Sequence, residues 1–286
     1  MDKDKIILFT VIESDYCNTN NNFSDSGITT PRLYEQEAIK CFTQWRQKGG
    51  WLKDIPIICW CPTNNRPTLK TINKLKELGI IYIDQTIPQS FEYTVGFFHV
   101  PIVGKLLEEL YPLHYLIHID LDMNIIKPIP EVLFNDNVYC GQYDPISQQH
   151  QRDLTVINKD WKLSMDTGFT ISHTSHKFYN MYYDVFTDLL NNYKNNESWN
   201  KLNSSIYNLE EFAMDILFYK QGDYNLNYEI KSIIYYQLGE GYIPYDEVPK
   251  NELNNILFWH EHIYENSQGM LNDKIRFLKR LNDETK

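Results

Sequence analysis

From Ile6 to Ile12 the chain runs almost without interruption through apolar positions, with charged residues on both sides. A continuous run, as opposed to an alternating one, marks a strand buried on both faces, as in a parallel sheet. A polar, Asn-rich loop follows from Glu13 to Thr29. Thr30 then offers an N-cap and Pro31 a first helical position, and Leu33, Ala38, Ile39 and Phe42 form the apolar stripe of a helix that Gly49-Gly50 stops. The unit repeats. Ile55 to Cys61 predicts a second buried strand, Thr68 to Leu78 a helix with Gly79 at its C′ position, and Ile80 to Ile83 a third strand. Phe97 to Leu110 has helical spacing, with Pro101 as a candidate start, and Tyr115 to Ile119 is a fourth strand that ends on Asp120-Leu121-Asp122. Strands and helices alternating in this way predict a doubly wound α/β sheet with right-handed crossovers.

The regularity weakens after Lys127. Val138 to Tyr143, Gly168 to Ser172, Ile230 to Tyr236 and Ile256 to Trp259 are strand candidates, and Lys177 to Tyr193, Leu209 to Tyr219 and Asn272 to Leu281 are helices. The Asn-rich stretch from Asn191 to Asn208 reads as a surface connection. With no internal repeat and no clean linker, the 286 residues are expected to form one domain.

Composition narrows the function. A hydrophobic share of 42% and a charged share of 23% are enough for a full core and exclude a disordered chain. A net charge of -11 argues against a nucleic-acid partner, because neutralising phosphates needs a basic face. The five cysteines, Cys17, Cys41, Cys59, Cys61 and Cys140, contain no CxxC pair and suggest neither a disulfide framework nor a zinc site. Cys59 and Cys61 are expected to be ordinary core thiols. No apolar run is long enough to cross a bilayer and nothing resembles a signal peptide, so a cytoplasmic setting is expected and the sequons at Asn22, Asn196 and Asn203 carry little weight.

The chemistry concentrates at Ile117-His118-Ile119-Asp120-Leu121-Asp122-Met123-Asn124. Residues two apart in a strand face the same way, so Asp120 and Asp122 present two carboxylates together where a buried strand gives way to its loop. In open α/β sheets that edge is where ligands bind. Two carboxylates in such a place either bind a cation or share a proton. Oxygen donors with open positions suit Mn²⁺ or Mg²⁺ bridging a diphosphate. A pair of solvated turn aspartates is the plainer alternative, and it fits an isolated Asp-x-Asp better than one placed after an apolar strand. His118 is expected to point away from the aspartates and to be structural.

The stretch from Lys105-Leu106-Leu107-Glu108-Glu109-Leu110 to His118-Ile119-Asp120-Leu121-Asp122-Met123-Asn124-Ile125-Ile126-Lys127-Pro128-Ile129 resembles the GT-A glycosyltransferases, in particular the glycogenin and lipopolysaccharide galactosyltransferase group. Asp166-Thr167-Gly168-Phe169 looks like that group's later Asn/Asp-x-Gly strand start, and Glu210-Glu211 sits where the group has an acidic pair opening a helix. The resemblance implies a GT-A, Rossmann-like, mixed but mainly parallel sheet flanked by helices in a single catalytic domain over 1–286. Residues 1–127 would be the nucleotide-binding half and 128–286 the acceptor and sugar half. It implies a UDP-sugar donor, a glycan, protein or lipid-linked acceptor, and Mn²⁺ or Mg²⁺ held by Asp122, with Asp120 reaching the metal, the ribose or both.

Lys105 would share the leaving diphosphate's charge with the metal. The group's third metal ligand is a histidine, for which His260 and His262 are the candidates, His260 being preferred because it directly follows the strand. Their spacing is not that of HExxH zinc proteases. The Gly and Lys-Pro-Trp sequence that follows this histidine in the group is absent here. Glu210, Glu211 and Asp166 are the candidates for acceptor or donor chemistry, although Asn208-Leu209-Glu210-Glu211 also has the form of a capping box. Tyr16 is a candidate to stack on the base, and Thr10 to hydrogen-bond it. The rival readings are a haloacid-dehalogenase-like phosphatase, which also places DxD after an apolar strand, and a non-catalytic sugar- or nucleotide-binding protein on the same fold.

Overall fold

The computed structural model describes residues 2–13, 33–64, 66–87, 99–142, 165–193, 209–224, 226–234, 236–239, 256–262 and 275–280. Tyr16, the Thr30-Pro31 helix start, Cys17, residues 194–208 of the Asn-rich connection and all three sequons lie outside them.

The elements run β1 (Ile6–Val11), α1 (Leu33–Lys48), β2 (Ile57–Cys61), α2 (Leu69–Glu77), β3 (Ile81–Asp84), α3 (Val100–Leu110), β4 (Tyr115–Ile119), β5 (Met123–Ile125), β6 (Val138–Gln142), β7 (Met165–His173), α4 (Phe178–Tyr193), α5 (Leu209–Tyr219), β8 (Ile230–Ile234), β9 (Tyr236–Gly239) and β10 (Phe258–His262). Residues 275–280 are helical. Seven strands form one sheet in the order β3-β2-β1-β4-β7-β6-β8. Only β7 runs against its neighbours β4 and β6, and the remaining pairs are parallel. This is the mixed, mainly parallel α/β sheet that the resemblance implies, and its parallel part is the doubly wound sheet expected from the alternation of buried runs. A second sheet, β5-β10-β9, was not anticipated. The segment expected as one strand from Ile230 to Tyr236 is divided between the two sheets, with β8 in the large one and Tyr236 opening β9 in the small one.

Continuous apolar runs become strands buried on both sides. Ile7, Phe9 and Val11 pack with α3, α4 and α5 on one face of β1, and Ile6, Leu8 and Ile12 pack with α1 and α2 on the other. Each fully buried side chain of this size contributes about 1.5–3 kcal/mol. On the second face, α1 holds α2 at both ends. Glu35 accepts hydrogen bonds from the N–H and hydroxyl of Thr68, the N-cap of α2, and from the Thr71 hydroxyl. At the other end Arg46 donates to the carbonyls of Leu78 and Gly79. An anion at the helix start and a cation at its end both complement its dipole. Gly79, at φ 70°, takes the left-handed turn that ends α2.

Candidate functional site

Strand order reverses between β1 and β4: the chain leaves β1 towards β2 and β3, then returns to pair β4 with β1's other edge. The crevice above the carboxyl ends at such a reversal is where open α/β sheets bind ligands. Asp120 follows β4 directly and is tied to β7 by its N–H donating to the Gly168 carbonyl at 2.8 Å. Asp122 lies in the turn leading to β5, so the two carboxylates converge through a turn and not along a continuous strand. Alternation still fixes which way they point. Ile117, Ile119, Leu121, Met123 and Ile125 are all buried in the α1 side of the core, leaving Asp120 and Asp122 to face the crevice. The turn is held from α1, where Gln44 accepts from the Ile125 N–H at 2.8 Å and donates to Asn124 Oδ1 at 3.2 Å.

The third member arrives by strand register. In the small sheet β10 pairs antiparallel with β5, placing His260 opposite Met123, one residue beyond Asp122. His260 Nε2 lies 2.7 Å from Asp122 Oδ1 across 138 residues of sequence. The ligand atoms of Asp120, Asp122 and His260 all lie within 4.8 Å of one another, and this is the one such group of His, Cys, Asp or Glu among the described residues. His262 ends β10, but its side chain lies outside what is described.

The electrostatics are those of a crowded, half-closed site. Burial pushes the Asp120 carboxyl up to about 7, against the pull of His260 and with the help of Asp122 and Asp166. Burial opposes charge on His260, but the carboxylates of Asp122 and Asp166 outweigh it and hold the imidazole well above its ordinary range. Asp120 and Asp122 keep 27% and 28% of their side-chain surface open, which leaves room for a ligand.

His118 is where the sequence reading needs correction. Residues 118 and 120 are two apart in an extended segment and share a side, so His118 faces Asp120, with Nε2 at 3.6 Å from Oδ1. It is fully buried, its Nδ1 bonds the Thr167 carbonyl at 2.9 Å, and burial lowers it to about 4, so the ring is neutral.

The other candidates fall in different places. Asp166, 2% exposed, accepts from the Gly168 N–H and faces His260 Nδ1 at 3.6 Å. Glu210 is buried at the start of α5, with its Oε2 partnerless among the described residues. Burial and the nearby charges of Glu211, Asp120 and Asp166 push its carboxyl well above the usual range. Glu211, beside it, is half-buried. Lys105 projects from α3 onto the ring of Tyr183 on α4, 4.2 Å from its centroid. Thr10 is buried on the α1 side of β1, its hydroxyl 3.4 Å from the Val11 carbonyl.

Asp215, one turn from Glu211 on α5, is a supporting residue to which the sequence alone assigns no role. It is fully buried on α5 and accepts from the Met165 N–H at 2.6 Å, fixing the start of β7 and hence Asp166. A carboxylate among the apolar positions of an otherwise hydrophobic helix was the available signal. Cys41, Cys59, Cys61 and Cys140 are buried free thiols that burial pushes up, as expected of core residues.

No family model and no curated protein matches the sequence. Among solved structures, the galactosyltransferase LgtC in complex with donor and acceptor sugar analogues superposes with a TM-score of 0.51 at 10% identity, covering 98% of this chain and 96% of that one. A glycosyltransferase involved in glycosylation of the major capsid of PBCV-1 gives a TM-score of 0.41 at 9% identity, over 98% and 99% of the two chains. The chain therefore has the GT-A, Rossmann-like fold of the galactosyltransferase, and it carries an Asp-x-Asp pair at the carboxyl end of β4.

Proposed function

We propose that this protein is a glycosyltransferase that moves a sugar from a nucleoside-diphosphate donor, UDP-linked in the first instance, to a hydroxyl acceptor. The observation that carries the proposal is the convergence of Asp120, Asp122 and His260 at the strand-order reversal of this fold.

The donor set fits a divalent cation. Two carboxylates with open surface and one imidazole suit Mn²⁺ better than Mg²⁺, which prefers oxygen alone. The short contact between His260 Nε2 and Asp122 Oδ1 supports this reading, because it brings the two donor atoms close enough to share one ion. When bound, the cation would offset the negative charge that develops on the leaving diphosphate. Asp122 and His260 would hold it, and Asp120 would share it or reach the ribose.

The protein's own groups do the rest. Burial and the neighbouring carboxylates push Glu210 towards its protonated form, which suits a hydrogen-bond donor to a sugar hydroxyl better than a base. Glu211 is the carboxylate we assign to the acceptor hydroxyl. Lys105 is left out of the site because its ammonium rests on Tyr183. A phosphatase reading gains no support from this arrangement, since the second carboxylate, Asp122, meets a histidine brought in by a second sheet.

Incubation with a panel of nucleotide sugars and no acceptor tests the proposal. We expect slow, Mn²⁺-dependent release of the nucleoside diphosphate, abolished by EDTA and by Asp122→Ala. Inertness towards every nucleotide sugar, without any Mn²⁺-dependent gain in thermal stability, would sink it.

A further inference from the structure

We propose that Asp166 is a positioning residue for His260, acting through the imidazole and not on either sugar; this rests on the cation reading above. His260 presents Nε2 to Asp122 at 2.7 Å, so Nε2 is the nitrogen available to a cation at that point. A neutral imidazole that ligates through Nε2 must carry its proton on Nδ1. Asp166 Oδ2 stands 3.6 Å from Nδ1, and the carboxylate's charge favours a proton there. An outer carboxylate of this kind fixes both the tautomer and the plane of a metal-binding histidine.

Three features hold Asp166 to that task. Its side chain is 2% exposed, which leaves almost no surface for an acceptor hydroxyl. Its other oxygen, Oδ1, takes the Gly168 N–H. And β7 bulges away from β6 at this point: Thr170 pairs with Cys140, while Asp166 pairs with Gly141, the next residue along β6. Bulges re-aim side chains in this way. Gly168 is part of the device. A Cβ there would stand 2.7 Å from Asp166 Oδ1 and 3.1 Å from Asp120 Oδ2, so any other residue would push the two carboxylates aside. The contact also joins the sheets, since Asp166 belongs to the large one and His260 to the small one.

Asp166→Asn tests the assignment. Its amide oxygen would take the Gly168 N–H, turning the amide N–H₂ towards Nδ1, which then becomes an acceptor and leaves the proton on Nε2. ¹⁵N NMR of histidine-labelled, metal-free Asp122→Ala, in which Nε2 has lost the carboxylate that holds its proton at 2.7 Å, reads the tautomer at alkaline pH. With Asp166 present the His260 proton should sit on Nδ1, and with Asp166→Asn added on Nε2; in the otherwise wild-type protein Asp166→Asn should weaken Mn²⁺ affinity by calorimetry about 10- to 100-fold. Wild-type Mn²⁺ affinity in a folded but inactive Asp166→Asn, with the tautomer unchanged between the two Asp122→Ala proteins, would overturn the proposal and return Asp166 to the substrate. If the Asp166 variants do not fold, the Asp122→Ala spectrum decides: a proton on Nε2 of His260 overturns it. Failure of wild type to bind Mn²⁺ would instead count against the cation reading, while the tautomer would still judge Asp166.

Discussion

Burial pushes the Asp120 carboxyl up to about 7, and Asp122 and Asp166 push His260 towards its protonated form against its own burial. In the metal-free protein, protons therefore sit where the proposed cation would bind, and the cation has to displace them. As pH falls through about 7, apparent Mn²⁺ affinity should fall by up to about tenfold per unit for each proton displaced. Calorimetric titrations at about pH 6 and about pH 8 check this, and a pH-independent affinity contradicts it. The same shift bears on stability. The folded-state value of Asp120 lies above its unfolded one, so ionising it costs the fold; the cost is absent below about pH 4 and complete above about pH 7. Metal-free Asp120→Asn should therefore be more stable than wild type at about pH 8 by roughly 0.5–2 kcal/mol, with the gap closing in acid. Urea denaturation at the two pH values measures it. Asp120 and Asp122 could be found in the sequence because one short segment carries both and the strand before them is unmistakable. His260 could be placed only through the family resemblance, because what brings it to Asp122 is the β5–β10 register. The contact between Asp166 and His260 left no trace in either local pattern.

Packing of α3 on α4 is closer than the side chains of α3 alone suggest. Gly104 lies directly against the Tyr179 ring, and a Cβ there would sit 2.2 Å from Cδ1. Tyr179 cannot retreat easily, since it is fully buried, stacked edge-on to Phe9 and hydrogen-bonded to Thr170. Gly104→Ala should cost about 1–3 kcal/mol despite its better helix propensity. A thermal melt at or above the wild-type midpoint would show that the helices can part. Length decides which elements were visible beforehand. β1, β2 and β4 announce themselves as five- or six-residue apolar runs, and α2, α4 and α5 by spacing or caps. β5 has three residues and β9 four, too few for any periodicity, and Tyr236 was joined to β8 because nothing between Ile234 and Tyr236 breaks the apolar pattern. The misplacement of His118 has another cause. Residues 118, 120 and 122 have the same parity, so alternation, counted correctly, puts His118 on the side of Asp120.

Taken together, the two sheets meet at the candidate cation site. The residue that follows β4 is Asp120, β7 of the large sheet supplies Asp166, the turn between the sheets supplies Asp122, and the small sheet supplies His260. None of the three ligands would be positioned by its own element in isolation. Among the described residues no helix is long and apolar enough to cross a membrane. An anomalous difference map from crystals soaked with Mn²⁺ and UDP, collected above the manganese edge, is the most direct test. One strong peak should appear between Asp120, Asp122 and His260, with the diphosphate on its open side. UDP bound in the crevice with no peak there, or a peak held by other residues, would contradict the account.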